Sequence, residues 1–186
     1  VYAEELRTQH NANVNSIAYG AAFGCQRDYA EELRERHGAN ATKIARAAAF
    51  GGHRDYAEEL RTRHGANVNL IARTAAYGGH RDYAEELRTR HGVDVNRIAS
   101  AAAHGGHRDY AEELRTQFGA DIRRILSFAQ GDYRGFLQNI INQSRASAQA
   151  PANGTSSSSS SSGLFSFGAA AAPGTPQPSS AGEAKV

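Results

Sequence analysis

At 186 residues, with 21 basic against 19 acidic side chains and a net charge of +2, the chain has room for one domain and a tail. Its near-balance of charge supplies no dominant field that would force a nucleic-acid or membrane-surface reading. A single cysteine, Cys25, excludes an internal disulfide, a Cys-pair zinc site and a dithiol redox motif; no apolar run approaches the ~20 residues that span a bilayer, so no membrane partner is expected.

The opening residues Val1–Glu5 lack the basic-then-apolar order of a signal peptide. They read as the inside of a helix, with Val1 standing where later units carry Asp28, Asp55 and Asp82. That start points to a missing capping unit and to a fragment of a longer protein. From there Tyr recurs at 2, 29, 56, 83 and 110, Leu at 6, 33, 60, 87 and 114, and Ile at 17, 44, 71, 98 and 125, every step being 27 residues. A fixed period of this size marks a solenoid, in which each unit buries its apolar face on its neighbours. This also accounts for the composition: much of the 40% hydrophobic content is alanine, too little large apolar material for one big core but enough for a string of small ones.

Each unit predicts two short helices. In the unit beginning at Arg54 the first runs from Arg54 to His64 and is closed by Gly65, the residue type that ends helices in the left-handed conformation. Asp55, Glu58 and Glu59 come early in it and Arg61 and Arg63 late, as the helix dipole favours; Tyr56 and Leu60, four apart, form its apolar stripe. Asn67 is a suitable N-cap for the second helix, predicted from Asn69 to Tyr77, and Gly78-Gly79 breaks it. Nothing alternates with period two, so the expected fold is an all-α solenoid of helix-turn-helix units. After Ile125 the spacing shortens. A last helix, Tyr133 to Gln143, has Gly135 and Phe136 in place of Glu-Glu and adds Ile140 and Ile141; it is expected to cap the array, which spans residues 1–143. Residues 144–186, with Ser156 to Ser162 and all four prolines, have the composition of a disordered tail.

The Gly-Gly-His junction, the Tyr/Leu helix and the His64–Asn69 turn (HGANVN) resemble the second helix and following turn of an ankyrin repeat, and Ala75-Ala76-x-Gly-Gly-His80 resembles the end of its first helix. The resemblance covers residues 1–125. The unit is 27 rather than about 33 residues long and lacks the Thr-Pro-Leu-His start, so the projecting hairpins of that family are not expected here. What the resemblance implies is a protein-binding scaffold.

Comparing the units with one another separates a packing face from a free one on the helix that begins near Asn15. The columns Ile17/44/71/98, Ala18/45/72/99, Ala21/48/75/102 and Ala22/49/76/103 stay apolar and small. At about 100° per residue they form one arc. The columns that vary lie opposite: Ser16, Lys43, Leu70, Arg97 and Arg124; Tyr19, Arg46, Arg73, Ser100 and Ser127; Gly20, Ala47, Thr74, Ala101 and Phe128; Phe23, Phe50, Tyr77 and His104. Aromatic and arginine side chains of this kind are typical interface anchors. The candidate partner-binding residues are therefore Lys43, Arg46, Phe50, Leu70, Arg73, Tyr77, Arg97, His104 and Arg124. The arc holds five basic residues and no acid, so an acidic partner is expected.

Other features read as structural. Four histidines (His10, His37, His64, His91) and three more (His53, His80, His107) fall in two columns. Helix packing sets equivalent residues ~8–10 Å apart, too far to share a metal with ~2 Å bonds, so these histidines are expected to hydrogen-bond the turns at helix ends. Adjacent glutamates such as Glu58-Glu59 point about 100° apart on a helix and do not flank one substrate bond; with Arg61 and Arg63 downstream they read as a salt-bridged face. Cys25 occupies a glycine position at a unit junction. No nucleophile elbow, phosphate loop or metal signature is present, so neither an enzyme nor a cofactor is expected.

The leading expectation is an intracellular protein-interaction scaffold that binds an acidic protein. Its Ser-rich end is compatible with a secreted bacterial effector delivered into a host cell, and Phe165-Ser166-Phe167-Gly168 matches a nuclear-pore FxFG pattern. The alternative is a nucleic-acid-binding array, because one-unit-per-base repeats also vary at a few positions and Ile98-Ala99-Ser100 with a later Gly-Gly is similar to the DNA-reading repeats of plant-pathogen effectors.

Overall fold

The computed structural model describes residues 12–149; the helix expected at the start of the opening unit, His10, the tail from 150 onward and the FxFG match lie outside them. Ten helices follow one another without a strand among the described residues: α1 (Val14–Phe23), α2 (Arg27–His37), α3 (Ala41–Phe50), α4 (Arg54–His64), α5 (Val68–Tyr77), α6 (Arg81–His91), α7 (Val95–His104), α8 (Arg108–Phe118), α9 (Ile122–Phe128) and α10 (Gly131–Gln149). The all-α repeat array expected from the 27-residue period is what forms. No helix among the described residues is long and apolar enough to cross a membrane.

Local chemistry sets these bounds. The odd-numbered helices, called inner below, are capped by Asn13, Asn40, Asn67, Asp94 and Asp121, whose side chains accept a backbone N–H of the first turn; Asn67 takes that of Leu70 at 3.2 Å. Helix α5 therefore starts at Val68, one residue before the predicted Asn69, because the cap fixes the residue after it. The even-numbered, outer helices α2, α4, α6 and α8 end on Gly38, Gly65, Gly92 and Gly119 in the left-handed conformation, as the sequence predicts for Gly65. Helix α10 begins two residues before Tyr133 and runs past Gln143 to Gln149. The boundary at 143 falls inside it: Arg145, Ala146 and Ala148 suit a helix, and Ser144 and Ser147 bond back to the carbonyls of Ile140 and Gln143.

Each inner helix packs on its own outer helix and on the next inner helix, whereas the outer helices make few close backbone approaches to one another. Side-chain size explains the difference. Where inner helices meet, Ala18, Ala45, Ala48, Ala72, Ala75, Ala99 and Ala102 are buried, so the backbones come close. Outer helices are held apart by long side chains. The core is formed by two fully buried rows, Leu33, Leu60, Leu87 and Leu114 from the outer helices and Ile44, Ile71, Ile98 and Ile125 from the inner ones.

A repeated bridge ties each unit to the one before. The Tyr56 hydroxyl donates to Glu31 at 2.7 Å, Tyr83 to Glu58 at 2.9 Å, Tyr110 to Glu85 at 2.8 Å and Tyr133 to Glu112 at 3.0 Å. The same carboxylates receive Arg34, Arg61, Arg88 and Arg115 three residues on. Arg63 pairs with Glu59 at 2.6 Å, and Arg27, Arg54 and Arg81 reach Glu59, Glu86 and Glu113 of the following unit. The solvated, salt-bridged face expected from the Glu-Glu pairs is formed. At the end of the array Phe136 replaces the carboxylate, and the Arg108 guanidinium lies 4.8 Å from the centre of its ring.

The histidine columns divide. His53, His80 and His107 place Nε2 at 3.0, 2.9 and 3.1 Å from the carbonyl oxygens of Phe23, Phe50 and Tyr77, which stitches each junction to the helix end of the preceding unit. His37, His64 and His91 stand exposed at the last residue of α2, α4 and α6. Among the described residues, the turn hydrogen bonds expected of both columns are made by His53, His80 and His107.

The junction also needs its glycines. A Cβ on Gly78 would lie 2.8 Å from the Phe50 carbonyl oxygen, and Gly79 sits at φ +82°. Cys25 occupies the equivalent of Gly79 in the first junction and is held at φ +62°, a conformation that costs a non-glycine residue roughly 1–2 kcal/mol. Cys25→Gly is expected to stabilise the array by roughly 0.5–1 kcal/mol, the gain being reduced by the freer unfolded chain. Urea denaturation followed by circular dichroism would show a higher midpoint; an unchanged or lower midpoint would refute the strain.

Candidate binding groove

The face of the inner helices turned away from the outer helices forms a continuous groove of about 480 Å³. Of the nine predicted contact residues, Arg46, Phe50, Arg73, Tyr77, Arg97, His104 and Arg124 line it. Lys43 is exposed and Leu70 half-buried, both outside the lining. The column of Ala47, Thr74 and Ala101 departs from expectation. Read as part of the free arc, it is buried, although Thr74 and Ala101 still form part of the groove lining. A helical wheel shows one packing side, but an inner helix in a stack has a neighbour on each flank, and the second neighbour covers this column. The free arc is therefore narrower than the sequence suggests and centres on the Arg46/Arg73, Phe50/Tyr77 and Arg97/Arg124 columns.

One aromatic ring per unit runs along the groove. Ring centroids are 5.3 Å apart for Phe23–Phe50, 5.4 Å for Phe50–Tyr77, 5.0 Å for Tyr77–His104 and 5.9 Å for His104–Phe128. These separations are shorter than the ~8–10 Å at which helix axes pack, so the rings lean toward one another. Each ring is at once part of the stack and part of the surface: Phe23, Tyr77 and Phe128 remain 48%, 37% and 44% exposed. Phe128 belongs by number to the buried Thr74 column, yet its ring extends the ladder. It is the last residue of α9, so no further turn blocks it from reaching His104.

The charge of the groove is of a different kind from that of the outer helices. On the outer helices Glu31, Glu58, Glu85 and Glu112 each hold an arginine within 2.8 Å. In the groove, among the described residues, Arg46 and Arg73 have no carboxylate partner; Arg46 Nε reaches only the Thr74 hydroxyl, at 3.4 Å. Arg97 and Arg124 share a single acid, Asp94, at 3.9 and 3.8 Å, beyond hydrogen-bond length. The segregation read from the sequence thus has a structural form: paired charge outside, under-compensated arginine inside.

Two participants escape comparison of the units. Asn96 lines the groove while its Oδ1 accepts the Asp121 backbone N–H at 2.6 Å, and Asp94 caps α7 through the Asn96 N–H at 2.8 Å. Asp94 lies in the column of the Asn67 cap and Asn96 in that of Asn69, the first residue predicted for the helix, so nothing in the spacing marks them as groove residues. No protein-family model matches the chain, and no curated protein matches it.

Proposed function

We propose that the chain is a protein-interaction scaffold whose inner-helix groove binds an acidic segment of a partner protein, and that its units are ankyrin-like repeats shortened by loss of the hairpin. The observation that carries the proposal is the row of Arg46, Arg73, Arg97 and Arg124 beside a ladder of exposed rings, in an array whose other arginines are mostly satisfied by glutamates. Rings supply rigid apolar contact area and under-compensated guanidiniums supply bidentate carboxylate recognition. The ladder disfavours stacked bases as the ligand: a base between two rings needs them about 7 Å apart, twice the ~3.4 Å rise per base, and the centroids are 5.0–5.9 Å apart.

An array of acidic, neutral and basic dodecapeptides, probed with the purified full-length chain and with Arg73→Glu/Arg97→Glu, tests this reading. Wild type is expected to retain acidic peptides selectively, and the double variant to weaken them about 30-fold or more with unchanged helicity, because both side chains are solvent-facing. Equal binding by the double variant would overturn the assignment of the face. So would retention of a single-stranded oligonucleotide at ~200 mM salt in preference to every acidic peptide.

A further inference from the structure

Within that groove, one position is shaped for a single anionic group. Arg97 comes from α7 and Arg124 from α9, in consecutive units, and both guanidiniums approach the same atom, Asp94 Oδ2, at 3.9 and 3.8 Å. The two therefore stand within reach of one carboxylate while neither makes a hydrogen bond to the one they have. Asp94 is held back by its role at the helix end. Its Oδ1 caps α7 by accepting the Asn96 N–H at 2.8 Å, and a capping side chain is not free to move out to the arginines. Beside the pair, Ser100 and Ser127 occupy the column that holds Arg46 and Arg73 two units earlier. Small side chains at those places leave the space above Arg97 and Arg124 open, and both serines line the groove.

Resting on the scaffold reading above, we infer that Arg97 and Arg124 form a two-arginine site for one carboxylate of an extended acidic segment, and that Asp94 is an internal competitor which the incoming carboxylate displaces as their partner. A ligand carboxylate has no cap to maintain, so it approaches to charge-assisted hydrogen-bond length, about 2.7–2.9 Å, whereas Asp94 stays at 3.8–3.9 Å. A built-in carboxylate of this kind lowers affinity for every anion and discriminates against weak ones, since only a ligand that makes the shorter contacts gains over what Asp94 already provides.

Asp94→Asn separates capping from competition. Asn13, Asn40 and Asn67 perform the same cap in the earlier units, so the variant keeps helix α7 and removes only the competing charge. The probe is a fluorescein-labelled dodecapeptide of alternating Glu and Leu, titrated into the full chain with anisotropy as readout. Asp94→Asn is expected to bind it about 3- to 10-fold more tightly, and Arg97→Gln/Arg124→Gln about 10-fold more weakly. In the Arg97→Gln/Arg124→Gln background, Asp94→Asn is expected to change nothing. Unchanged or weaker binding by Asp94→Asn with an unshifted melting curve would overturn the competitor role, and so would a gain that persists without the two arginines. A peptide with phosphoserine at one Glu position that binds more than about tenfold tighter than the all-Glu peptide would overturn the carboxylate assignment. Failure of the wild type to bind any acidic peptide sinks the scaffold reading itself, which is a different result.

Discussion

Leu60→Ala is expected to destabilise the array by about 2–5 kcal/mol, the range for emptying a fully buried leucine site, and to weaken the units on both sides of α4. Leu60 is fully buried and lies in the row Leu33, Leu60, Leu87 and Leu114. In a stack each unit contacts only its neighbours, so stability is approximately a sum of unit and interface contributions. Interfaces whose closest helix contacts are alanine have few large side chains to redistribute into the space a lost isobutyl group leaves. The expected readout is a lower urea midpoint, with native-state hydrogen exchange showing lost protection in α3, α5 and α6 as well as α4. Tyr56→Ala should behave likewise, because it removes both a buried ring and the hydroxyl bond to Glu31. Arg63→Ala is the control: its side chain is 71% exposed and pairs with Glu59 at the surface, where such pairs contribute about 0–1 kcal/mol. Loss of protection confined to α4 would show that the units are not coupled through this row.

Much of this architecture was legible because a repeat tests its own pattern several times. Tyr, Leu and Ile at 27-residue steps identify the core rows, Asn67 and Gly65 mark helix ends through their own backbone chemistry, and the constant alanines mark the stacking face. What the wheel of one helix does not contain is the second neighbour, which is why Thr74 and Ala101 read as free and are buried. The rings were visible as a column, but their contact with one another depends on how closely the alanine faces let the inner helices approach. Phe128 joined the ladder only because the shortened last unit ends its helix there. Asp94 stayed hidden for a different reason. It stands in the column of the Asn67 cap, and a residue that fits one rule gives no sign that it meets two arginines as well.

The inter-unit tyrosines make stability depend on pH at both ends of the scale. Burial pushes the phenols of Tyr56, Tyr83, Tyr110 and Tyr133 well above the ordinary tyrosine range, and their hydrogen bonds to Glu31, Glu58, Glu85 and Glu112 push them further. A phenol with a raised folded pKa keeps its proton after the unfolded chain has released its own. Its contribution is therefore whole below about pH 10 and is lost as the pH rises beyond that. Four such phenols act together, so the loss steepens as the pH rises. Alkaline unfolding should be steep, with phenolate absorbance and loss of helicity appearing in the same transition. The acid limb has the opposite sign. Burial alone would raise Glu31 and Glu58, but hydrogen bonds from Arg34 and Tyr56, and from Arg61 and Tyr83, outweigh it and hold both carboxyls below the ordinary glutamate range. Their stabilisation is present above about pH 4.3 and is lost as the pH falls through the lower folded values. A melting-temperature profile should thus fall below about pH 4.3 and again above about pH 10. Replacing Tyr56, Tyr83 and Tyr110 together by Phe separates the two limbs: the alkaline fall becomes shallower while the acid fall persists through the arginine pairs. An alkaline slope unchanged in the triple variant would show that these phenols do not carry it.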